Sequence, residues 1–152
     1  MKVLKIASAL GVLMLSGTAF GQACETTVLA TDAMKYDTKH IAVPASCKAF
    51  TVTLKHTGRL AKSVMGHNWV LTQPDQAHAV ASDGISAGLA NNYLVADDKR
   101  VIAATKVIGS GEEASVTFDV DTLKSDQPYT FFCSYPGHIS MMLGELEVVS
   151  AQ

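Results

Sequence analysis

Residues 133–142 read CSYPGHISMM and place a cysteine, a histidine and two adjacent methionines around a Pro-Gly turn. Thiolate and thioether are soft donors and imidazole is borderline, so this stretch carries the chemistry of a metal-binding loop. Cys133 ends the apolar run YTFFC, Pro136 and Gly137 punctuate the turn, and His138 follows it. Met141 and Met142 come just after. The bland alternative is a sulfur-rich hairpin end in which Cys133 is an inert core thiol.

Donors from one loop do not complete a strong site, so a further histidine is required. His67, in VMGHNWVL, follows Gly66 and opens an apolar run containing Trp69. Gly66 allows close backbone approach there. His40 and His78 lie among polar or small residues and read as solvated, while His56 ends a strand and reads as a structural histidine. Two imidazoles, one thiolate and a weak thioether match a blue-copper site. Zinc would use four strong donors, and a thioether is a poor fourth. The same donors suit both Cu(II) and Cu(I), which favours single-electron transfer, and no open position for a substrate is evident.

The chain begins with MKVLK, a short basic start, then the apolar IASALGVLMLSGTAF and the small residues of GQAC. This is the three-part pattern of a secretory signal, assigned to residues 1–23 with cleavage after Ala23 and Gly21 as the competing position. The run is short for a membrane span, and Gly21 and Gln22 argue against a lipoprotein cut before Cys24. The signal carries Lys2 and Lys5 and no acid, so residues 24–152 hold 10 basic and 14 acidic side chains, a net charge of −4. That balance disfavours nucleic acid. Three cysteines remain, Cys24, Cys47 and Cys133. An odd count in an exported chain implies one disulfide and one thiol with another role. Joining Cys24 to Cys47 would contribute roughly 3 kcal/mol by loop closure and leave Cys133 over.

The elements that must position these residues are short strands. Phe50, Val52 and Leu54 alternate with Thr51, Thr53 and Lys55, and Val116, Phe118 and Val120 with polar partners. Leu146 and Val148 alternate with Glu145 and Glu147, and Tyr129, Phe131 and Cys133 share a side. ETTVLA, HIAV, HNWVL and RVIAATKVI are further candidates, with turn signals such as GSGEE and KSDQP between them. The predicted architecture is a single all-β sandwich or small barrel over residues 24–152. One helical insertion is predicted near residues 75–90, weakened in its second half by Gly84 and Gly88.

The chain resembles the azurins, a family of bacterial blue-copper cupredoxins, over nearly all of residues 24–152. The resemblance rests on VMGHNWVL, RVIAATKVIGSGE, SVTFDV and the Cys-x4-His-x3-Met spacing of FFCSYPGHISMM. This loop is longer than those of plastocyanin and amicyanin, and its spacing selects Met142 over Met141. The resemblance implies an eight-stranded Greek-key sandwich with one helical insertion. It implies trigonal ligands His67, Cys133 and His138, a weak axial Met142, and the Gly66 carbonyl opposite. It also implies a Cys24–Cys47 disulfide, a buried Trp69, and an Asn68 that braces the two ligand segments. Tyr135 departs from the family, which often carries Phe there.

His138 is expected as the exposed edge of the site, ringed by Leu60, Val64, Met65, Pro136 and Met141 as an apolar docking patch. Such patches suit transient redox contacts. The resemblance implies c-type cytochromes and periplasmic oxidoreductases as partners of a periplasmic electron carrier; its oligomeric state is open, with a monomer as the default. The competing readings are a periplasmic copper carrier or storage protein, and a Cys133/His138 hydrolase, for which no orienting third group is evident.

Overall fold

A computed structural model describes residues 23–150. The predicted signal therefore lies outside the described residues, apart from Ala23. Period-two alternation becomes two packed sheets. The first has the order β2-β1-β4-β7, built from β1 (Glu25–Thr31), β2 (Lys35–Tyr36), β4 (Ala49–His56) and β7 (Glu113–Asp119). The second runs β3-β9-β8-β5-β6, from β3 (His40–Pro44), β5 (Val70–Thr72), β6 (Ala103–Ala104), β8 (Tyr129–Phe132) and β9 (Leu143–Val149). The β1–β4 and β3–β9 pairs are parallel and the rest antiparallel. Nine strands are thus described where eight were expected, β2 and β6 being two residues each.

Alternation decides which side chains meet between the sheets. Phe50, Val52 and Leu54 are buried from β4, and Phe118, Phe131 and Leu146 from the strands around it. Each such side chain contributes about 1.5–3 kcal/mol on burial. Trp69 is fully buried at the centre, with ring centroids 5.8 Å from Phe131 and 6.3 Å from Phe118. The outer face is polar and paired across strands: Thr51 and Thr117 hydroxyls lie 2.9 Å apart, Thr53 and Ser115 2.8 Å. The predicted disulfide is present between Cys24, just before β1, and Cys47, just before β4.

The insertion is α2 (Ala77–Gly84), flanked by single 3-10 turns at Pro74–Gln76, Ile85–Ala87 and Leu89–Asn91. Its inner face buries Ala77, Val80 and Ala81 against Val70 and Phe132. Its last residue, Gly84, is required by space, because a side chain there would strike the Tyr93 carbonyl. One short helix was not anticipated, α1 (Lys62–Met65). Two expected strands are shorter than predicted. In HNWVL only Val70 onward is strand, and in RVIAATKVI only Ala103–Ala104. The two segments instead meet at intervals: Ile102 N–H donates to the Leu71 carbonyl, Thr105 N–H to that of Trp69, and His67 and Ile108 exchange both bonds.

Candidate metal centre

The site forms where two chain segments leave the same end of the sandwich. His67 lies between α1 and β5, and Cys133 immediately follows β8. His138 opens a 3-10 turn, His138–Ser140, after Gly137, whose positive φ of 82° reverses the chain. The left-handed conformation suits glycine there. Met142 then leads into β9. The loop closes on itself: Met142 N–H donates to the His138 carbonyl at 2.8 Å, and Cys133 N–H to the Met142 carbonyl at 3.1 Å.

Three donor atoms converge: His67, Cys133 and His138 each offer one, all within 4.8 Å of one another and all from buried residues. Cys133 Sγ stands 3.9 Å from His67 Nδ1 and 3.6 Å from His138 Nδ1. Metal bonds of about 2.3 Å to sulfur and about 2.0 Å to nitrogen put the two atoms roughly 3.5–3.8 Å apart between tetrahedral and trigonal geometry. The spacing fits a first-row transition metal. Met142 is fully buried in the same core cluster as Cys133.

The tautomer of His67 is set from behind. Nε2 lies 2.9 Å from the Thr31 carbonyl, so it carries the proton and Nδ1 keeps a lone pair facing Cys133. Burial, followed by the neighbouring His138, lowers the His67 pKa to about 4. Burial also lowers that of His138. Both imidazoles are held neutral, the form that binds metal. Burial pushes the Cys133 thiol up to about 12, against the backbone N–H groups of Asn68 and Tyr135, which favour thiolate. A metal must displace that proton, as a coordinating cation does.

Asn68 joins the two segments. Its Oδ1 accepts from Ser134 N–H at 2.9 Å, and its Nδ2 donates to Ser134 Oγ at 2.8 Å and to the Asn92 carbonyl at 3.0 Å. The Asn68 carbonyl accepts from the Tyr36 hydroxyl. Gly66 has extended backbone angles, so its glycine is required by space: a Cβ would meet the Lys62 carbonyl at 2.4 Å and Val107 at 2.6 Å. Tyr135 packs on His138 with centroids 4.6 Å apart and donates its hydroxyl to the Ser63 carbonyl at 2.8 Å.

That packing corrects one expectation. His138 is 4% exposed, not an open edge, because Tyr135 covers one face of its ring. Of the expected patch, Leu60, Val64 and Met141 are exposed at 39%, 60% and 54%, while Met65 and Pro136 are half-buried. His40 and His78 are exposed, as read from their neighbours. His56 is buried and stacked on His67, centroids 4.8 Å apart, with Nε2 2.9 Å from the Met65 carbonyl. Tyr36, Asn92, Ser134 and Thr31 also serve the site without any motif in the sequence to mark them. Asn92 adopts the left-handed conformation, φ 58°, which asparagine tolerates better than most residues.

A two-sheet sandwich with a buried His–Cys–His cluster at one end, fed by a strand-end cysteine and a returning loop, defines a cupredoxin. The chain belongs to the copper-binding proteins of the plastocyanin/azurin family, whose description matches residues 22–149. It is 59% identical over 121 residues to the azurin of Pseudomonas fluorescens biotype C, covering 80% of this chain and 94% of that one. It is 56% identical to the azurin of Bordetella pertussis, covering 83% and 84%. An azurin (Az-iso2) of known structure from the obligate methylotroph Methylomonas sp. strain J superposes with a TM-score of 0.81 at 52% identity. That match covers 84% of this chain and 98% of that one. Copper is accordingly the cofactor, one ion in a type 1 site.

Proposed function

We propose that the protein is a periplasmic electron carrier and not an enzyme. In this reading His67 and His138 through Nδ1, and Cys133 through Sγ, would hold the metal, with Met142 and the Gly66 carbonyl as weaker further donors. The observation that carries the reading is the convergence of three buried donor atoms within 4.8 Å. Bound copper supplies the one-electron step by alternating between Cu(II) and Cu(I).

The chain's own residues do the rest. The Thr31 carbonyl and the Asn68–Ser134 bonds hold His67 and Cys133 in place without the metal. A cage held this way changes little between oxidation states, and a small rearrangement favours fast transfer. Burial of all three donors keeps them from bulk water. Exposed Leu60, Val64 and Met141, with half-buried Met65 and Pro136, offer an apolar surface for brief contact with c-type cytochromes or periplasmic oxidoreductases. Residues 1–23 act as the export signal, and the protein works as a monomer over residues 24–152. The Cys24–Cys47 disulfide supports an oxidising compartment. Among the described residues no helix is long and apolar enough to cross a membrane.

Adding Cu(II) to the metal-free protein tests the reading. An intense blue thiolate-to-copper band is expected, lost in Cys133→Ser. A colourless wild-type complex would overturn it. Reversible voltammetry separates a redox protein from a copper carrier or store, which need not cycle.

A further inference from the structure

Lys39, the residue before β3, reaches across to the far end of the ligand loop. Its Nζ donates to the Met141 carbonyl at 2.7 Å and to the Leu143 carbonyl at 2.9 Å. These two residues flank Met142. Met142 spends its own backbone groups in another direction, on His138 and Cys133. The three successive carbonyls from 141 to 143 are therefore divided between one ammonium and the Cys133 amide. The Lys39 backbone is anchored as well, since its carbonyl accepts from Glu145 N–H at 2.9 Å. The two segments lie so close that a Cβ on Gly144 would come within 2.8 Å of that carbonyl.

A long, exposed lysine loses much side-chain freedom when held on two carbonyls. Charge-assisted bonds offset that loss. We propose that Lys39 is a positioning residue for Met142. Its ammonium clamps the carbonyls of the two residues that flank Met142, holding the methionine against the site. Its positive charge beside the loop also favours the reduced, more electron-rich state. The second effect rests on the copper reading given above; the first does not. Nothing in the motif Cys-x4-His-x3-Met points to this residue, which lies more than ninety positions earlier in the chain.

The test uses Lys39→Met, which keeps the stem and removes charge and donors, and Lys39→Arg, which restores both. In the metal-free protein, amide hydrogen exchange at Cys133 and Met142 is expected to quicken about fivefold or more in Lys39→Met. Val52, in the opposite sheet, should hold its rate, and Lys39→Arg should recover the wild-type pattern. In the copper-loaded protein, Lys39→Met should lower the reduction potential. A threefold change in the Cu(I)/Cu(II) affinity ratio corresponds to about 28 mV, at 59 mV per tenfold for one electron. Unchanged exchange at Cys133 and Met142 overturns the clamp. So does a loss of protection that includes Val52, which would mark a general structural role, or a failure of arginine to rescue. A wild type without a blue band sinks the copper reading, yet leaves the exchange measurement decisive for Lys39.

Discussion

Asn68 is the residue on which the two halves of the site depend. It is fully buried and satisfies Ser134 at two atoms and Asn92 at one. Asn68→Ala leaves the buried Ser134 N–H without a partner, while the Ser134 hydroxyl keeps its bond to the Asn92 carbonyl, and should destabilise the metal-free protein by about 1–3 kcal/mol in urea unfolding. The histidines give a second expectation, with a definite sign. His67 has a folded pKa of about 4 against an ordinary 6.5, so between these values the unfolded chain binds the extra proton. Stability of the metal-free protein is complete above about pH 6.5 and should fall by up to about 3 kcal/mol as pH drops toward 4. Asp32, held below its usual range chiefly by the Arg59 amide, titrates under this window. Denaturant titrations at pH 7 and 4.5 check the difference, and His67→Gln should flatten it. The donors were legible in sequence because their chemistry is unusual. Tyr36, Ser134 and Lys39 were not, because each acts on groups that only the folded chain brings near.

At the scale of elements, alternation found every long strand, since a half-buried sheet imposes period two on its residues. It overestimated β5 and β6, where the chain must open to present His67 while still bonding to residues 102–108. Side-chain and single backbone bonds replace a ladder there, and these leave no periodic trace. The same limit hid α1, a four-residue turn with no buried residue. The disulfide acts on a parallel pair: it fastens Cys24 to Cys47, just ahead of strands β1 and β4, which align from Glu25 opposite Thr51. Parallel neighbours cannot be joined by a tight turn. The Cys24→Ala/Cys47→Ala variant should lose about 3 kcal/mol in thermal or urea unfolding while keeping its colour with copper.

For the molecule as a whole, three exposed apolar side chains, Leu60, Val64 and Met141, lie on the two segments that hold the ligands. The Tyr135–Ser63 bond couples those segments directly. Val64→Glu should slow electron self-exchange at least about tenfold, because two copies would then meet with like charges in contact. Its blue band should be unchanged, and an unaltered rate would remove the patch from the mechanism. That this surface adjoins the site was readable from Val64 and Met141 standing next to ligands in sequence. The cover over His138 was not, for it depends on the direction of one tyrosine ring.

Of the described strands β9 comes latest in sequence, yet it lies inside its sheet, between β3 and β8. It begins immediately after Met142, so one stretch of chain completes both the sheet and the donor cluster. Residues 23–132 alone therefore hold neither this interior strand of the second sheet nor three of the four donor side chains. Closure of that sheet and assembly of the donor set are thereby one step of folding, not two.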